Sequence, residues 1–105
     1  MIDNKEFNKR IKAKIKEIEQ LFDTKNDQYS TDSDPLQAFK TGALLLCGNA
    51  SYEAQFEALK AYMTKHIAHM YNNKLNGPKV NESIMDVTTY NLIASVMYDL
   101  MKGEK

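Results

Sequence analysis

Cys47 is the only cysteine in 105 residues, which excludes an intrachain disulfide and leaves noncovalent packing to hold the fold. Two prolines and four glycines are too few for a linker or a disordered chain. An excess of either charge is also missing. Fourteen basic and fourteen acidic side chains cancel, which excludes a generic electrostatic grip on nucleic acid or on an anionic membrane, so any phosphate site must be local. No apolar run approaches membrane-spanning length, and the opening MIDNKEFNKR lacks the apolar stretch of a secretory signal. A cytoplasmic location is therefore expected, and the sequons at Asn49 and Asn81 are expected to go unused. No glycine-rich segment precedes a Lys-Ser or Lys-Thr pair, and no serine sits on a glycine-rich elbow. Cys47 falls in a leucine-rich stretch, where a buried and inert thiol is expected.

What the chain does contain is helical periodicity, with no strand alternation and no internal repeat. Its length predicts one domain over 1–105, an all-α, four-helix bundle-like arrangement with one long loop after the first helix. Asp3, with Glu6 three residues on, reads as a capping box. Behind it Phe7, Ile11, Ile15, Ile18 and Phe22 recur at helical spacing. The polar run from Thr24 to Asp34 reads as a loop, ended by Asp34 capping a second helix that starts at Pro35 and runs to Cys47. Leucines 44 to 46 predict that this helix is buried, and Gly42 within it predicts close helix packing. Gly48 supplies a stop and Ser51 a cap for a third helix over 52–72, with His66 on its apolar stripe. Gly77 and Pro78 read as the turn before a fourth helix, capped by Asn81, stapled by Val80 and Met85, and running from Glu82 to Lys102. Its apolar residues surround it rather than stripe it, so burial against another copy of the chain is expected.

Three groups of residues have chemical potential. Glu82 and Asp86 stand four apart, which puts two carboxylates on one helix face as candidate ligands for Mg2+; the same pattern also suits an acidic first turn and a polar partner for Lys65. Lys65 can hold a phosphate as a point charge and His66 can donate a hydrogen bond or act as a base, although a histidine on an apolar stripe also occurs as a satisfied core residue. Zinc is not expected from His66, His69 and Cys47, which lack paired ligand spacing.

Taken in order, Lys25-Asn26-Asp27-Gln28-Tyr29, Asp34-Pro35 with Phe39, Gly42 to Leu46, Lys65-His66, and Glu82 to Asp86 with Tyr90 resemble small phage-encoded proteins related to the all-α nucleoside triphosphate pyrophosphatases, the MazG-like superfamily. The resemblance covers residues 22 to 101. It implies a helical bundle, often oligomeric, with a polar site between helices that faces a nucleotide or related phosphorylated ligand. It places Lys25, Asn26, Tyr29, Lys65 and His66 as ligand-binding residues. Active members gather four carboxylates, a Glu-x-x-Glu and a Glu-x-x-Asp pair, around magnesium for attack of water on the triphosphate. Here Glu82 and Asp86 stand four apart and no Glu-x-x-Glu occurs, so the carboxylate set is incomplete. The resemblance thus implies a nucleotide-binding protein, with Mg-dependent pyrophosphohydrolysis open. The alternative is a non-catalytic interaction protein, for example an inhibitor of a host defence factor, acting through its helical surface.

Overall fold

The computed structural model describes residues 1–29 and 34–103, over 25–29 the backbone alone, and the described residues form four helices and no strand. α1 spans Asn4–Tyr29, α2 Gln37–Cys47, α3 Tyr52–Asn73 and α4 Pro78–Met101. The fold is all-helical and bundle-like. No helix among the described residues is long and apolar enough to cross a membrane.

α1 starts as expected, with the Glu6 amide donating to Asp3 Oδ1 at 2.8 Å. The Glu6 carboxylate pairs forward with Arg10 at 3.1 Å, along the helix. The end of α1 differs from the expected loop. Residues 24 to 29 contain neither glycine nor proline, and adding residues to an existing helix avoids the cost of nucleation, so α1 continues to Tyr29. Thr24 fits this, its hydroxyl donating to the Gln20 carbonyl one turn back at 3.1 Å.

α2 begins at Gln37 rather than Pro35, after Pro35 and Leu36 form a turn. Asp34 organises that turn: Oδ1 accepts from the Leu36 amide at 3.0 Å and Oδ2 pairs with Lys40 at 2.7 Å. The Lys40 ammonium, hydrogen-bonded to the Asp34 carboxylate, holds that carboxyl below its ordinary pKa, and the Leu36 amide acts in the same direction. α2 ends at Gly48 (φ 76°), whose amide donates to the Leu44 carbonyl. Ser51 then caps α3 by accepting from the Ala54 amide at 3.2 Å.

α3 is the central helix, packed on one side by α2 and on the other by α4. Small residues let α2 approach: Ala43, Ala54 and Ala58 are buried, and a Cβ on Gly42 would come within 3.0 Å of the Ala58 Cβ. Phe39, Leu59 and Met97 form the buried centre, with Leu36, Met63, Tyr90, Ile93 and Ala94 packed on it. Gln55 is also buried; its amide donates to the Ala50 carbonyl at 2.9 Å and ties α3 to the preceding turn, while its Oε1 finds no partner among the described residues.

The expected burial of α2 holds only for Phe39 and Ala43. Leu44, Leu45 and Leu46 are exposed, because successive helical residues fan around the axis and only the side of Phe39 and Ala43 is buried, and Cys47 is exposed with them rather than buried. α4 starts earlier than expected, with Gly77 (φ 96°) as its cap and Pro78 in its first turn, where the missing amide costs nothing. Asn81 therefore lies inside the first turn, and Val80 and Met85 are buried helix residues rather than a staple across the start. On the outer side of α4, Leu92, Val96 and Tyr98 are exposed. α1 touches only α4 to any extent, and most of its apolar stripe faces outward.

Candidate functional site

α3 and α4 together build one polar cleft. At helical spacing, Lys65, His66 and His69 share an arc of α3, while Lys79, Glu82, Ser83 and Asp86 recur at three, four and seven residues along α4. These seven side chains line a cleft of about 320 Å³. Lys65, His66, Glu82 and Asp86, expected to share a site, do converge. Lys79 and Ser83 join them, and sequence reasoning missed both. Starting α4 at Glu82 put Lys79 in a turn; starting it at Pro78 puts Lys79 one turn before Ser83 on the same face.

His66 stands at the inner edge of the cleft. Its Nε2 lies 3.7 Å from Asp86 Oδ2, too long for a hydrogen bond and short enough for an ion pair when the ring is protonated. Both side chains are mostly buried, at 20% and 12% exposure. The imidazole also lies against the Tyr90 ring, centroids 6.0 Å apart and planes tilted by 35°. Tyr90 meets Phe39 edge-on at 6.5 Å, and Phe39 meets Tyr62 edge-on at 5.9 Å. Phe39 and Tyr90 thus form a row of rings behind His66 that orients it, with Tyr62 of α3 against Phe39 at the far end.

The remaining lining residues are more open. Lys65, Lys79 and Glu82 are exposed, and Ser83 is buried at the cleft floor. His69 is held by Asn73, whose amide nitrogen lies 3.2 Å from Nδ1 and donates to the His69 carbonyl at 2.9 Å. Two ammonium groups and two carboxylates balance the cleft, which suits a ligand carrying both signs better than a bare anion. Among the described residues no three His, Cys, Asp or Glu side chains are placed to share a metal ion. The residues therefore do not form a protein cage. They fit the sparse mode of magnesium, in which one or two carboxylates hold a largely hydrated ion that substrate phosphate completes.

Lys25, Asn26 and Tyr29 belong to the last turns of α1 rather than to a loop, and their side chains lie outside the described residues. Comparison with family models, with curated proteins and with solved structures finds no match to this chain.

Proposed function

We propose that the α3–α4 cleft binds a nucleotide or related phosphorylated small molecule, as the resemblance to MazG-like proteins implies. The observation that carries this reading is the gathering of Lys65, Lys79, His66 and the carboxylates of Glu82 and Asp86 around one cleft. In it Lys65 and Lys79 take phosphate oxygens as mobile point charges, and His66, oriented by Asp86 and Tyr90, donates a hydrogen bond. Glu82 and Asp86 hold Mg2+ where a metal–phosphate ligand binds, since the pair provides negative charge in the same cleft as the lysines. Lys25, Asn26 and Tyr29 are proposed to complete the site through phosphate contact, amide hydrogen bonds and ring stacking on a base. With an incomplete carboxylate set, binding is the proposed activity; hydrolysis of a triphosphate would need further metal ligands.

Thermal denaturation across a panel of nucleotides, with and without Mg2+, tests this. A ligand at 100 times its dissociation constant adds about 2.7 kcal/mol to stability, a shift on the order of 10 °C. Lys65→Ala should remove most of the shift, and Asp86→Asn only its Mg2+-dependent part. Absence of a shift with every nucleotide would sink the reading. The second reading, a non-catalytic interaction protein, is favoured by the exposed row Leu44, Leu45 and Leu46, since apolar surface contiguous on one helix end commonly marks a contact.

A further inference from the structure

α1 segregates its charge along its length. From Asn4 to Lys16 it has six basic residues and one acidic; from Glu17 to Thr24 it has three acidic and none basic, before Lys25 and Asp27 in its last turns. Like charges therefore meet at helical spacing, as in Lys5–Lys9, Arg10–Lys14, Lys12–Lys16 and Glu19–Asp23, which is unfavourable within this helix. The ion pairs Arg10–Glu6 and Lys14–Glu17 are solvent-exposed and engage only part of that charge. Something outside the helix must make the arrangement favourable.

The apolar stripe has its own symmetry. Two pairs of the stripe share one midpoint: that of Phe7 and Phe22 coincides with that of Ile11 and Ile18, between Lys14 and Ile15, and Ile15 lies next to it. Phe7, Ile11 and Ile15 are 51%, 45% and 57% exposed, so this chain leaves the stripe largely uncovered. The area at stake is large. The chain exposes 8035 Å², whereas a compact 12.0 kDa protein exposes about 6,000 Å². Its radius of gyration is 15.8 Å, against about 13 Å for a compact domain of this length. The excess, on the order of 2,000 Å² over the whole chain, is enough for a homodimer interface, which takes roughly 1,000 Å² from each copy.

We propose that the chain forms a homodimer by antiparallel pairing of α1 with α1 of a second copy, about a two-fold axis beside Lys14 and Ile15. That symmetry sets Phe7 against the second copy's Phe22 and Ile11 against its Ile18, and it lays the basic half of each helix beside the acidic half of the other. At 3.6 residues per turn, Lys5 and Lys12 flank the stripe on the same side as Glu19 and Asp23. An antiparallel two-fold brings like flanks together, so Lys12 stands within a turn of the second copy's Glu19, and Lys5 of its Asp23. The opposed macrodipoles attract as well. A membrane-surface helix would explain lysines beside an apolar face, but three acidic residues in the second half would repel an anionic bilayer. The pairing is independent of any ligand in the α3–α4 cleft.

Light scattering on the full chain at tens of micromolar, with two charge-reversal variants, tests the proposal. The wild type is expected at twice 12.0 kDa. Lys5→Glu/Lys12→Glu/Lys14→Glu and Glu17→Lys/Glu19→Lys/Asp23→Lys should each scatter as monomers, because the flank of the stripe that holds positions 5, 12, 19 and 23 then carries one sign of charge and meets its like across the two-fold. Mixed one to one they should form a heterodimer, and the chain with all six reversals should dimerise with itself again. The mixture also answers for folding, since a variant that had lost its fold would not be rescued by the other. A wild type that remains at 12.0 kDa, variants that stay dimeric singly, or a mixture that stays monomeric would overturn the proposal. So would a monomeric wild type that sediments with phosphatidylserine vesicles, which would make α1 a membrane-surface helix.

Discussion

α1 and α3 are similar in length and both carry apolar residues at helical spacing, yet they end in opposite environments. On α3, Leu59 and Ala58 are sealed; on α1, Ile15 and Phe7 stay more than half exposed. The stripe of α1 is the more regular of the two, so regularity does not measure burial. Periodicity fixes which side chains share a face. What covers that face depends on the neighbours, and α3 has α2 and α4 against it while α1 meets little beyond part of α4. A helix can therefore be specified locally and still require a partner from elsewhere.

The sharpest way to break this comparison is to truncate one residue of each stripe. Leu59→Ala removes a fully buried side chain and should cost about 2–5 kcal/mol in urea unfolding, whatever the protein concentration. Ile15→Ala should change the stability of a dilute monomeric sample by no more than about 0.5 kcal/mol. If the two variants lost stability alike under dilute conditions, α1 would be core and the contrast false. Next in size is the α2–α3 contact. Gly42→Leu forces side-chain atoms into space already occupied by Ala58 and should cost about 1–3 kcal/mol, seen as a lower Tm. A neutral or raised Tm would mean that α2 can slide on α3. Removing the cap of α3 is milder: Ser51→Ala should cost about 1 kcal/mol, and Ser51→Asp should retain most of the stability in the same assay.

The smallest effect is one of pH and belongs to the turn before α2. Asp34 has its folded pKa lowered below the ordinary 3.8, chiefly by its hydrogen bond with Lys40. Its contribution is fully present above that ordinary value and is lost as the pH falls through the folded value. Melting midpoints from pH 6 to pH 2 should show wild type above Asp34→Asn at the upper end and the two converging at the lower. Parallel curves would show that the Lys40 pair contributes nothing to folding.

The parts of this fold that were legible in the sequence are those set by one residue and its immediate chain neighbours. Asp3 and Ser51 cap as their side-chain oxygens allow, Gly48 ends α2 because it tolerates φ 76°, and Gly42 marks the closest helix approach. Boundaries decided by competition were misread. The polar run after Phe22 favours turns residue by residue, but an existing helix extends through it to Tyr29; Pro78 looked like a helix breaker and instead occupies a first turn. That second misreading hid Lys79 from the cleft. The convergence of Lys65 and His66 with Glu82 and Asp86 was anticipated from a resemblance, and the helix spacing alone could not have brought α3 and α4 together. Nor could composition foresee that Leu44 to Leu46 and Cys47 end in solvent, since that depends on which side of α2 its neighbours cover.

The aromatic row behind His66 also has an optical consequence. With no tryptophan in the chain, tyrosine dominates its near-ultraviolet spectrum, and among the tyrosines with described side chains Tyr90 is the one that lies against His66 while also touching Phe39. A guest that turns the His66 ring changes the dipole next to Tyr90, whose transition is held in a fixed, chiral setting by Phe39. The dichroic band of tyrosine should therefore register occupancy of the cleft without any attached dye, and Tyr90→Phe should silence most of that signal while preserving the edge-on ring contact.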